Sequence, residues 1–205
     1  MDAETPHIDV RAVHIDDAPA LHELDYSFET DRVYTLRVRD RLLAYDTSTQ
    51  ALDGAALAFE LTVTSVDIPI YRDFREDGLT LADVECRLRA VEGGYVALAD
   101  GKVAGGVLLN LDEPRRLARV EDLIVGRQYR RYGVGSLLLS CASDWARKRG
   151  CRAIVLETQS SNYPAIQFYL RNGLQIWSIH QHFYPPGPLE HEVAIIMGKK
   201  LWSAP

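Results

Sequence analysis

Val120-Glu121-Asp122-Leu123-Ile124-Val125-Gly126-Arg127-Gln128-Tyr129-Arg130-Arg131-Tyr132-Gly133-Val134-Gly135-Ser136 is the stretch whose reading decides the fold. Its apolar start, Leu117–Val125, reads as a strand, and a basic loop leads into two glycines one residue apart. From Gly133 to Arg149 the residues Leu137, Leu138, Cys141, Ala142 and Trp145 recur at helical spacing, and Gly150 closes the pattern as a C-terminal cap. The glycines let the backbone turn tightly and approach a ligand. The first N–H groups of the helix lack intrahelical partners, and the macrodipole gives them partial positive charge. With Arg130 and Arg131 beside it, this end suits a diphosphate-sized anion. It lacks the Lys-Ser/Thr ending of a Walker A loop and the third glycine of a dinucleotide fingerprint.

Moving outward, Ala153–Thr158 reads as a buried strand, and Ser161 or Asn162 caps a helix running to Arg171, stopped by Asn172-Gly173. Strands over Leu174–His182 and Glu192–Lys199 flank the turn-rich Tyr184–Leu189. On the N-terminal side, Tyr95–Ala99 and Val103–Asp112 form a hairpin at Asp100-Gly101. A short helix is expected around Thr80–Ala90, and β-like stretches over Arg32–Tyr45 and Ala55–Pro69. The alternation of Ile8–Ile15 predicts a strand, with Asp16 and Asp17 capping a short helix through Leu21 and Leu24. The fold class is α/β with a mixed sheet, without internal repeats or a clean domain boundary.

The chain has 205 residues and a net charge of −6, which argues against a nucleic-acid-binding surface and is compatible with a small cationic substrate. Mild acidity equally serves solubility. Three cysteines without CxxC spacing form neither a disulfide framework nor a zinc signature, so no metal is expected. His180 and His182 share a strand face but have no third ligand nearby. The N-terminus lacks the features of a signal peptide, and no apolar run reaches the ~18 residues of a membrane span. A soluble, cytoplasmic protein is the expectation.

Arg130-Arg131-Tyr132-Gly133-Val134-Gly135 resembles the Q/R-x-x-G-x-G/A pyrophosphate loop of GNAT acetyltransferases, and Asn162, Ala165, Phe168-Tyr169 and Gly173 resemble a second element of that superfamily. Together they cover roughly residues 95–200. The resemblance implies a GNAT fold, with a central mixed, mostly antiparallel sheet, a splayed strand pair and flanking helices. It implies one domain over 1–205, in which 1–94 elaborate the acceptor side and 95–200 bind acetyl-CoA. The implied cofactor-binding residues are Leu123, Ile124 and Val125, whose backbone pairs with the pantetheine arm, then Arg130, Arg131, Tyr132, Gly133, Val134, Gly135 and Ser136, with Asn162, Ala165 and Tyr169. Tyr169 is implied as general acid towards the coenzyme A thiolate. Val120-Glu121-Asp122-Leu123, Leu156-Glu157-Thr158-Gln159 and Leu24-Asp25-Tyr26-Ser27-Phe28 are similar to segments of streptothricin acetyltransferases, which acetylate an amine of a cationic antibiotic. Tyr184-Pro185 and Ala194-Ile195-Ile196-Met197 resemble ribosomal-protein N-terminal acetyltransferases. Leu174 stands where the superfamily usually has Phe.

An alkylammonium of pKa about 10.4 is neutral in roughly one molecule in a few thousand at pH 7, so amine acetylation needs a base. Two candidates are Glu157, at the position of the base in the N-terminal acetyltransferases, and Glu121, from the streptothricin-like segment. Glu157 is favoured as base and Glu121 as a substrate carboxylate. Strand alternation predicts that Glu121 and Asp122 face opposite ways. Asp25, Asp31 and Glu60 are further candidates for contacting a cation. The expected activity is acetyl transfer from acetyl-CoA to a small cationic amine; a protein N-terminal acetyltransferase and a coenzyme A-binding sensor are the alternatives. A homodimer is compatible with the family, and neither nucleic acid nor membrane is an expected partner.

Overall fold

In a computed structural model, residues 6–40, 45–46, 51–52, 57–76 and 78–202 are described. The strands are β1 (Ile8–Ala12), β2 (Ser27–Asp40), β3 (Tyr45–Asp46), β4 (Ala51–Leu52), β5 (Leu57–Asp73), β6 (Gly93–Ala99), β7 (Lys102–Asp112), β8 (Leu117–Val125), β9 (Ala153–Gln159), β10 (Gln175–His180) and β11 (Ala194–Lys200). The helices are α1 (Ala18–His22), α2 (Leu81–Ala90), α3 (Val134–Lys148) and α4 (Tyr163–Arg171). The main sheet runs β1-β6-β7-β8-β9-β11-β10, and within it β8–β9 alone is parallel.

This is the expected mixed, mostly antiparallel sheet. At the β6–β7 turn Asp100 and Gly101 both have positive φ, the backbone that makes such a pair a hairpin signal. The N-terminus departs from the sequence reading. The strand ends at Ala12, and His14 rather than an aspartate caps the short 3-10 turn Ile15–Asp17. Asp17 instead accepts from the His14 N–H and pairs with Arg11.

One face of the sheet packs on α3 and α4 through Val107, Leu109, Val120, Leu138, Ile154 and Ile166. The seam of α3 is Leu138, Leu139, Ala142, Trp145 and Ala146; Leu137, expected inside, is 39% exposed. The other face packs on α1 and α2 through Leu21, Val84, Val96 and Ile124. Trp145 lies so close to β6 that a Cβ at Gly93 would stand 2.3 Å from its indole nitrogen. Gly93→Ala is expected to destabilise the fold by about 1–3 kcal/mol, read as a lower urea midpoint at unchanged slope.

β2 and β5 form a separate two-stranded ribbon, starting and ending about two to five residues from the predicted bounds. Cross-strand partners share a face, so Tyr34/Val63, Leu36/Leu61 and Val38/Phe59 make one side apolar. The ribbon is tied to α4, where the Tyr34 hydroxyl accepts from Gln167 Nε2 at 2.9 Å and the Tyr34 and Tyr163 rings lie 5.9 Å apart.

Two irregularities in β8 shape the site. Its pairing with β9 ends at Val120↔Leu156, although both strands run on, so the two splay apart. Its register with β7 slips between Leu108↔Asp122 and Leu109↔Val120, leaving Glu121 as a bulge residue.

Candidate active site

The splay opens into a cleft of about 1460 Å³ that runs from the N-terminus of α3 across the ends of β8 and α4 to the start of β2. One end is basic. The loop after β8 makes a 3-10 turn at Arg127–Tyr129, and Gly133 enters α3 with φ +81°. Nothing lies within 4 Å of a Cβ on Gly133, so its need is conformational. Gly135 is needed for a different reason: a Cβ there would stand 3.0 Å from the Phe168 ring of α4. Arg127, Arg131 and the backbone of residues 133–136 line this end.

Arg130 lines the same end and is tied into its wall as well. Its guanidinium donates to the carbonyls of Val125 (3.0 Å), Ser27 (2.8 Å) and Asp25 (3.1 Å). It binds the end of β8 to the segment before β2. That segment is itself braced, because the Asp25 carboxylate accepts from the Ser27 N–H at 2.7 Å. Tyr132 is 43% exposed and does not line the cleft, and Val134 is buried, leaving only its backbone to a ligand.

Along the cleft, the C=O of Val125 points to the open edge of β8, where Arg130 takes it. Alternate residues address the same edge, so Leu123 directs its backbone there too. This unpaired edge can accept an extended chain as an added strand. Asn162 caps α4, its Oδ1 accepting from the Ala165 N–H at 3.3 Å, and both residues line the cleft beside Tyr169. Tyr169 is 9% exposed and packs edge-on against Phe168 at 5.3 Å. Burial, then the nearby charges of Asp122 and Glu157, push its phenol above the ordinary tyrosine range. It therefore stays protonated at neutral pH, with its hydroxyl proton available to donate.

Of Glu121 and Asp122 only Asp122 lines the cleft, so the two do not both face it. Asp122 lies with Ile124 towards α1 and α2, while Val120 packs on the α3 face. Glu121 pairs with Arg119 at 3.3 Å and does not line the cleft. Glu157 lies beside the cleft rather than in its lining, and the Tyr184 hydroxyl donates to it from the β10–β11 loop. Burial raises the Glu157 carboxyl, and Tyr184 and Arg119 pull it partly back. Asp122, which the sequence reading passed over, does line the cleft. Asp31 also lines it, whereas Asp25 does not, its carboxylate engaged by the Ser27 N–H, and Glu60 sits out on the ribbon. Among the described residues no group of three or more His, Cys, Asp or Glu gathers to hold a metal. No described helix is long and apolar enough to cross a membrane.

Residues 62–174 match the model of the acetyltransferase (GNAT) family. The chain belongs to that family. As such it is an acetyl-CoA-dependent acetyltransferase, and the splayed β8–β9 pair with the loop before α3 is the GNAT arrangement. The streptothricin acetyltransferase of Streptomyces lavendulae is 29% identical over 194 residues, spanning 91% of this chain and 92% of that protein. The Escherichia coli streptothricin acetyltransferase is 32% identical over 130 residues, 63% of this GNAT chain and 69% of its relative. Among solved structures, nourseothricin acetyltransferase superposes with a TM-score of 0.75 at 29% identity, covering 95% of this chain and 98% of the other.

Proposed function

We propose that the protein acetylates a primary amine of a small cationic acceptor of the streptothricin type. The observation that carries this reading is the polarity of the cleft. Its α3 end presents Arg127, Arg131 and unpaired helix N–H groups, suited to the diphosphate of acetyl-CoA. Its far end is lined by Glu29, Asp31 and Asp122 with the rings of Tyr26, Phe28 and Phe74, a combination that attracts and stacks a cation. Residues 1–94 thus supply most of the acceptor side, with Asp122 added from β8, and residues 95–200 the donor side. The names of the relatives point to the same class of acceptor.

In this reading the ammonium gives one proton to a carboxylate base, and the free amine attacks the thioester carbon. The C–N bond forms and the C–S bond breaks. Tyr169 donates its hydroxyl proton to the leaving thiolate and regains one from the acetylated nitrogen. The products are the amide, free coenzyme A thiol and one proton.

Thiol release from acetyl-CoA, measured with a panel of amines, tests the proposal. Rapid release with streptothricin at low micromolar acceptor is expected. Silence with streptothricin together with turnover of short peptides would instead make the protein an N-terminal acetyltransferase.

A further inference from the structure

Three carboxylates cluster where the β8–β9 splay opens, and their surroundings differ. Glu121 is bulged outward against Arg119, and Glu157 is capped by the Tyr184 hydroxyl. Asp122 is turned by the bulge into the cleft wall, its side chain retaining 24% of its surface. It also lines a second, much smaller void of about 10 Å³, with Tyr26, Arg87, Leu21, Val84, Leu108 and Ile124 among its neighbours. That volume is about the space one water requires, and the polar groups of Asp122, Arg87 and Tyr26 give a water hydrogen-bonding partners. Arg87, on α2, reaches Asp122 Oδ2 at 3.4 Å and is half-exposed. A carboxylate thus stands between the reaction cleft and a water-sized chamber that is apolar apart from Asp122, Arg87 and Tyr26, with the half-exposed Arg87 on its wall.

We infer that Asp122 is the base that takes the proton from the acceptor ammonium, and that the chamber it shares with Arg87 and Tyr26 is the route by which that proton leaves. The inference deepens the proposed acetyl transfer and rests on it. The proton passes from the ammonium nitrogen to Asp122 Oδ, and from there through a chamber water to bulk solvent, which restores the carboxylate for the next turnover. Arg87 is a positioning residue: it holds the carboxylate and favours its charged form. The groups facing Asp122 are Arg87 from α2, Tyr26 ahead of β2, and Tyr169 from α4, with the Leu123 N–H on its own strand. Burial raises the Asp122 carboxyl above its ordinary range, and Arg87 and the Leu123 N–H draw it partly back.

The base works in its deprotonated form, so kcat/KM rises with pH through the Asp122 pKa and is flat above it. Asp122→Asn is expected to lower kcat by about 10²-fold with acetyl-CoA affinity unchanged. Arg87→Gln removes the positive charge that favours the carboxylate, so the acid limb moves to higher pH while the pH-independent rate holds. Both variants are compared with Glu157→Gln, using whichever amine the wild type turns over. An acid limb that ignores Arg87→Gln, or one that moves with Glu157→Gln while Asp122→Asn stays active, overturns the assignment. If the wild type acetylates no amine, the proposed function fails on its own. The pair is then read without acceptor, by following the Asp122 carboxyl 13C resonance against pH, and a titration unmoved by Arg87→Gln overturns the Asp122–Arg87 coupling.

Discussion

Tyr169→Phe is expected to lower turnover about 10²-fold and to leave acetyl-CoA binding intact. The hydroxyl is the only group the substitution removes. The ring keeps its edge contact with Phe168 and its place in the α3/α4 core. In the proposed mechanism burial and two carboxylates keep the phenol protonated, and the hydroxyl donates towards sulfur as negative charge builds on it. A donor of this kind, aimed at charge that develops only as the C–S bond breaks, stabilises the transition state more than the ground state. The loss should therefore appear in kcat, with the dissociation constant of acetyl-CoA from calorimetry unchanged. Equal turnover by the variant would remove Tyr169 from the mechanism.

Arg130→Ala is expected to weaken both halves of the site at once. Three carbonyls from two separate segments converge on this guanidinium, and bonds to a charged donor contribute roughly 1.5–3 kcal/mol each. Water can replace part of that, since the side chain is only half-buried, so a stability loss of about 2–4 kcal/mol is expected in urea unfolding. KM should rise for acetyl-CoA and for the amine together, because the segment at Asp25–Ser27 and the end of β8 lose their common tie. Arg130→Lys restores few of these bonds, as an ammonium cannot span the fork. A variant with unchanged stability and a raised KM for acetyl-CoA alone would return Arg130 to the phosphate.

The parts of the molecule legible in sequence are those set by local chemistry. Asp100-Gly101, Asn162 and Gly133 each announce a turn or cap that depends on a few neighbouring residues, and the strand–loop–helix around them falls within a residue or two of its predicted bounds. The bulge at Glu121 is not local. It exists because β7 and β8 slip by one residue against each other, and nothing in Val120–Leu123 records the partner strand. That single slip decides which of the two neighbouring carboxylates lines the cleft: Asp122 does and Glu121 does not. The second task of Arg130 is hidden for a related reason: the carbonyls of Ser27 and Asp25 that it binds lie 103 and 105 residues away. Tyr184 meets Glu157 across 27 residues and was equally invisible.

The β2–β5 ribbon stands outside the seven-stranded sheet and belongs to neither of its hydrogen-bonded edges. Yet residues from Ser27 to Asp31 and Pro69 form one wall of the cleft. The walls are thus built from pieces of the chain that answer to different constraints. Residues of β8 and α3 must keep their register for the sheet to hold. The ribbon can exchange side chains, lengthen or shorten with little consequence for that register. On the proposed reading such an architecture is modular in an evolutionary sense: a lineage can try new acceptors by altering the ribbon while the machinery for handling the thioester stays as it was.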